Sequence, residues 1–194
     1  VKTEAFKKLF QDYPMHLGRI TSFHIANGGM SRFEKFKVIY RDFLKEELSE
    51  EKSKELGEKF TKYCYSEVIQ APLVRGAKGF LNKYYKRLSL LVVSGTPQEE
   101  MVSLVKDKKL SKFFKAVYGS PMTKYAAITR IMDKYGWQSN EVIFVGDSIN
   151  DYEGAKQAGI GFIGRFHREY PGIFKDKKIE GSIDDLRGLE QIVK

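Results

Sequence analysis

Two aspartates, Asp147 and Asp151, stand four residues apart directly after Val142-Ile143-Phe144-Val145-Gly146. Carboxylates that close, at the tip of an apolar strand, suit a hard cation such as Mg2+, which takes oxygen ligands and bridges to a substrate phosphate. A purely structural alternative makes Asp147 a helix cap and Asp151 a first-turn residue favoured by the helix dipole. That alternative accounts for one aspartate, but not for both together with Gly146 and the apolar run. Upstream, Ser94-Gly95-Thr96-Pro97 follows a second apolar run. Its hydroxyls and backbone N–H groups can converge on one anion at a helix start, or they can serve as an ordinary cap before a proline at the first helical position. Between the two lies Ser120-Pro121-Met122-Thr123-Lys124. A lysine opening a helix is disfavoured by the macrodipole, so its position points to an anionic partner.

Groups of this kind need elements that bring them to one edge. After Pro72 the sequence alternates between helix and strand patterns. Helices are expected over 77–85, 97–105, 124–135 and 152–158, and strands over 88–94, 116–118, 141–147 and 160–163. Residues 183–193 read as a strand end and a terminal helix. Continuous apolar strands between amphipathic helices mean an α/β fold with a parallel, Rossmann-like sheet covered on both faces. In such a sheet, ligands bind at the carboxyl ends of the strands, where Ser94, Gly95, Thr96, Asp147 and Asp151 fall.

Residues 1–72 read differently. Ala5, Phe6, Leu9 and Phe10 form an apolar stripe, and Asn27-Gly28-Gly29 is a turn. Ser31 can cap a helix carrying Phe33, Phe36, Ile39, Tyr40, Phe43 and Leu44, and Ser49 opens a long third helix through Leu56, Phe60, Tyr63 and Val68. The expectation is a small helical bundle over 1–72, followed by the α/β core over 73–194.

A strand ending Ser-Gly-Thr, then a lysine opening a helix, then Gly-Asp-Ser-x-Asn-Asp resembles the second, third and fourth motifs of the haloacid dehalogenase (HAD) superfamily. The helical segment resembles the cap that this superfamily inserts after its first motif, in the branch of phosphoglycolate phosphatase and β-phosphoglucomutase. The resemblance implies phosphoryl transfer through an aspartyl-phosphate intermediate on a small phosphorylated metabolite. By similarity Ser94, Gly95 and Thr96 bind phosphoryl oxygens, Lys124 offsets charge there, and Asp147 and Asp151 hold Mg2+ directly or through water. Phosphatase chemistry is the first expectation; a sugar phosphomutase or a catalytically inactive binding protein on the same fold are the alternatives. In the cap, Gly28-Gly29-Met30-Ser31-Arg32 resembles a turn reaching over the active site, where Arg32 either reads a substrate anion or is a solvent arginine. The cap is expected to move over the core on hinges near the N-terminus and Pro72.

One departure is large. No Asp-x-Asp follows an apolar strand anywhere in the sequence, so the nucleophile and general acid/base are expected on a strand preceding Val1.

Composition bounds the rest. The 194 residues are 42% hydrophobic and 30% charged, which is globular. No apolar run approaches the ~20 residues that span a bilayer. The single cysteine, Cys64, favours a reducing, cytoplasmic setting and is expected half-buried among Tyr63 and Tyr65. The net charge of +9 is read as anion steering and a solvated lysine face around Lys106, Lys108, Lys109, Lys112 and Lys115, not a nucleic-acid site. A monomer or homodimer is expected. His16, His24 and His167 lack ligand spacing and are expected at the surface or in hinges, and Trp137 is expected to pack a helix end against the sheet.

Overall fold

A computed structural model of the chain describes residues 1–166 and 172–192; the His167 expectation lies outside them. The chain divides into two compact units, Val1–Ala71 and Pro72–Lys194.

The first unit is all helical: α1 (Lys2–Leu9), α2 (Pro14–Ala26), α3 (Arg32–Val38) and α4 (Glu50–Gln70). Local chemistry sets their ends. Pro14 occupies the first turn of α2, and the Ser49 hydroxyl caps α4 by accepting from the Lys52 amide. Ser31 stands at the N-cap of α3 without making a side-chain cap bond. The helix expected to run to Leu44 loosens after α3 into a π-helical turn, Ile39–Leu44, ended by left-handed Lys45. The core is aromatic. The Phe6 ring lies 5.1 Å from Phe60, 5.8 Å from Phe36 and 6.0 Å from Phe10, and each of these rings is essentially buried. Burying one such side chain contributes roughly 1.5–3 kcal/mol. Cys64 is fully buried in this core, not half-buried, because it lies on the face of α4 that carries Phe60.

His24 also departs from expectation. It is buried against the Phe6 ring, with centroids 4.0 Å apart. The Lys35 ammonium, 4% exposed, lies 3.2 Å from His24 Nδ1 and donates to the His24 carbonyl at 3.0 Å. That carbonyl belongs to the last turn of α2, the negative end of its dipole. Burial, then the neighbouring Lys35 charge, pushes His24 down to about 3; burial, then the Lys2 charge, pushes Lys35 down to about 8. For both bases the folded state disfavours the proton, so stability rises with pH wherever the unfolded chain binds more protons. The Lys35 penalty is complete below pH 8 and is relieved as pH rises from about 8 to 10.5. Thermal melts of Lys35→Met are therefore expected to lack a pH-dependent gain of up to about 3 kcal/mol that the wild type shows across this window. Parallel curves for the two proteins would show that Lys35 carries no such penalty.

The second unit is α/β. Its elements are α5 (Ala77–Tyr84), β1 (Leu91–Pro97), α6 (Gln98–Asp107), β2 (Ala116–Ser120), α7 (Lys124–Tyr135), β3 (Ile143–Gly146), α8 (Ile149–Gln157), β4 (Gly161–Arg165), β5 (Gly181–Ile183) and α9 (Leu189–Ile192). All pairings are parallel, with β1 joined to β2 and a separate sheet ordered β3-β4-β5. The parallel strands expected from the pattern are present and, among the described residues, form two separate pieces. Burial follows pairing. On β4, flanked on both sides, Phe162 and Ile163 are 3% and 0% exposed. On β1 and β3, each paired on one side only, Leu91, Val92, Val93, Phe144 and Val145 are half-buried and Ile143 is 41% exposed. Trp137 stacks on Tyr135 at 4.7 Å, just past the left-handed Gly136 that ends α7.

Candidate active site

The expected residues of the second unit collect at the carboxyl ends of β1 and β3. Strand β1 is shifted three residues along the chain from the expected 88–94 and runs through Ser94, Gly95 and Thr96 to Pro97. Four steps from Val93 to Pro97 are matched on β2 by two steps from Tyr118 to Ser120, so the end of β1 bulges away from regular pairing. Gln98 bridges the interruption: its amide donates to the Val117 carbonyl at 2.9 Å and its Oε1 accepts from the Gly119 amide. Gly119 permits this closeness, since a Cβ there would lie 2.6 Å from the Thr96 carbonyl oxygen. The Ser94 hydroxyl accepts from the Thr96 amide at 3.2 Å, and Thr96 is buried. Pro97 is the N-cap residue of α6, so Ser94 and Thr96 do not make the cap that was their structural alternative.

Lys124 is the first residue of α7, whose N-cap Thr123 accepts from the Ala126 amide. Its side chain is 12% exposed. The ammonium donates to the Val93 carbonyl at 3.1 Å and pairs with Asp151 Oδ1 at 2.8 Å. It thus ties the end of β1 to the start of α8, the helix that follows β3. The Cβ of Lys124 packs where Gly154 of α8 has none; a methyl group at 154 would collide with it.

Asp151 and Ser148 form a capping box on α8. Asp151 Oδ2 accepts from the Ser148 hydroxyl at 2.8 Å and from the Ser148 amide at 3.2 Å, and the Asp151 amide donates back to Ser148 Oγ. Ser148, not Asp147, caps the helix. Both Asp151 oxygens are therefore engaged, and its side chain is 8% exposed. Gly146 is explained by the same contact, because a Cβ there would lie 2.7 Å from Asp151 Cγ. Asp147 is different: its side chain is 54% exposed, and its Oδ2 lies 3.4 Å from Arg165 Nη1.

Two positioning residues escaped the sequence reading. Gln98 carried no signal beyond following Pro97. Arg165 did carry one, since it ends an apolar strand at the same sheet edge as Asp147. Ser120, at the end of β2, has a buried hydroxyl without a hydrogen-bond partner among the described residues.

Arg32 corrects its expectation. It is 5% exposed, donates to Thr61 Oγ1 at 2.6 Å and to the Gly57 carbonyl at 3.3 Å, and lies 4.4 Å above the Phe60 ring. Its guanidinium joins α3 to α4 instead of facing solvent or standing open to a substrate. The helical packing explains this: Gly57 lets the Phe33 ring close on α4, where a Cβ would be 2.7 Å from it.

The chain is 28% identical over 108 residues to a "Probable phosphoglycolate phosphatase" of Pseudomonas savastanoi, covering 53% of this chain and 68% of that protein. Its fold matches a predicted phosphoglycolate phosphatase from Haemophilus somnus with a TM-score of 0.75 at 19% identity, covering 100% of this chain and 90% of the other. A HAD hydrolase of Bacillus subtilis bound to magnesium matches with a TM-score of 0.68 at 18% identity, covering 99% and 90%. The sequence profile of haloacid dehalogenase-like hydrolases matches residues 26–165, and with more than half of its length so matched the chain belongs to that family.

Proposed function

We propose that this hydrolase is a Mg2+-dependent phosphatase of small phosphorylated metabolites, working through an aspartyl-phosphate formed on a strand not present in residues 1–194. The observation that carries the reading is the Lys124–Asp151 pair, set between the bulged end of β1 and the start of α8 with Asp147 open beside it. Phosphoryl transfer is mostly positioning and charge compensation, which suits this group of side chains. In this reading Ser94, Gly95 and Thr96 supply hydroxyl and N–H donors to the phosphoryl oxygens. Lys124, held by the Val93 carbonyl and Asp151, presents a fixed positive charge to them.

The donor set fits the metal in a particular way. The described residues contain no group of three or more His, Cys, Asp or Glu side chains able to hold a metal ion. Mg2+ does not require one, since it keeps several waters and uses one or two carboxylates plus substrate oxygens. Asp147, half exposed with one long contact, is suited to direct ligation; Asp151, with both oxygens engaged, is suited to act through water. Bound there, the ion would neutralise charge on the phosphoryl group.

Calorimetric titration is expected to give saturable Mg2+ binding that Asp147→Asn weakens at least tenfold. Equal affinity in the two proteins would overturn the metal assignment.

A further inference from the structure

We propose that Arg165 is a positioning residue that competes with the divalent cation for Asp147 and so sets a weak metal affinity. The inference rests on the Mg2+ reading of Asp147 given above. In the β3–β4 ladder Gly146 is paired with Gly164, so the next residues, Asp147 and Arg165, emerge side by side at the sheet edge. Arg165 is anchored from its other side: it pairs with Ile183 of β5, and the following Phe166 amide donates to the Ile183 carbonyl at 2.9 Å. Its side chain is 23% exposed and its Nη1 reaches Asp147 Oδ2 at 3.4 Å.

The Arg165 Nε is buried and has no hydrogen-bond partner among the described residues. A buried guanidinium N–H without an acceptor is disfavoured, and the side chain's strand anchor keeps it there. The site's two carboxylates thus each have a resident counter-ion, Lys124 on Asp151 and Arg165 on Asp147. The two differ in grip. The first pair is short and buried, whereas the second is long and leaves Asp147 exposed, so only Asp147 can be surrendered easily to an incoming dication. Arg165 remains beside the ion as a like charge, which lowers affinity and makes it sensitive to salt.

Mg2+ titrations of Arg165→Gln and Arg165→Lys in the full chain test this. Arg165→Gln is expected to bind Mg2+ about fivefold more tightly than wild type at low salt, with the gap narrowing in ~0.5 M NaCl as the lost repulsion is screened. Arg165→Lys, which keeps the charge, is expected to stay near wild type. Unchanged or weaker binding by Arg165→Gln, while Asp147→Asn still loses affinity, would overturn the role of Arg165 alone. No saturable binding in wild type, or equal binding by Asp147→Asn, would overturn the metal reading and this inference with it.

Discussion

Lys124→Ala is expected to lower the chain's stability by about 3 kcal/mol, and to reduce phosphatase turnover of an active form by several orders of magnitude. The sequence alone favours an activity loss without cost to the fold; the structure adds the cost. Removing the ammonium leaves the Asp151 carboxylate, 8% exposed, without its cation and the Val93 carbonyl without a donor. Breaking one side of a buried pair typically costs 3–5 kcal/mol, more than the pair itself contributes. Lys124→Ala combined with Asp151→Asn should therefore recover a large part of the lost stability in urea unfolding, while leaving activity abolished. A Lys124→Ala protein within about 0.5 kcal/mol of wild type would show that Asp151 does not depend on this lysine.

The largest expected effect concerns the divided sheet. Strands β1 and β3 each have one partner among the described residues, and their apolar side chains are half-buried. An apolar strand ending in Asp-x-Asp, supplied in front of Val1, is expected to pair with both and to place two carboxylates beside Lys124. Residues 1–194 alone are expected to hydrolyse p-nitrophenyl phosphate at background, and the chain so extended to do so with Mg2+ at least about 10^3-fold faster, a gain of roughly 4 kcal/mol in transition-state stabilisation. The extension should also raise stability, because each buried backbone group left without a partner costs about 1–3 kcal/mol. Robust Mg2+-dependent hydrolysis by residues 1–194 would place the nucleophile elsewhere. A more stable but inactive extended chain would favour a non-catalytic protein on this fold.

What the sequence made legible was periodic or punctuated. Helix α7 begins and ends where its pattern does, because Thr123 caps it and Gly136 closes it in the left-handed conformation. The order of Ser-Gly-Thr, Lys and Gly-Asp-Ser-x-Asn-Asp located the sheet edge because strand tips followed by helix starts are local signals. Long-range competition was not legible. Arg32 has the same composition around it whether it faces solvent or the Phe60 ring, and only the packing of α3 on α4 decides. His24 and Lys35 are eleven residues apart and become neighbours only through the fold. The capping role passed to Ser148 because its hydroxyl, not the Asp147 carboxylate, is in register with the Asp151 amide.

The close passage of Lys124 against Gly154 has a consequence for how this site can diverge. Its charge is carried on a long, flexible side chain, yet its starting point is fixed by the absence of one methyl group on a different helix. Alanine at 154, a substitution with better intrinsic helix propensity, would push α7 away from α8 and draw the ammonium back from Val93 and Asp151. Position 154 is thus a place where helix propensity and charge placement oppose each other. Variants selected for thermal robustness of α8 alone would detune the site without altering any polar residue in it. The relation also runs the other way. A larger residue at 154 could be accommodated only if position 124 changed in concert, so the two positions form a coupled pair whose separate substitutions are not additive.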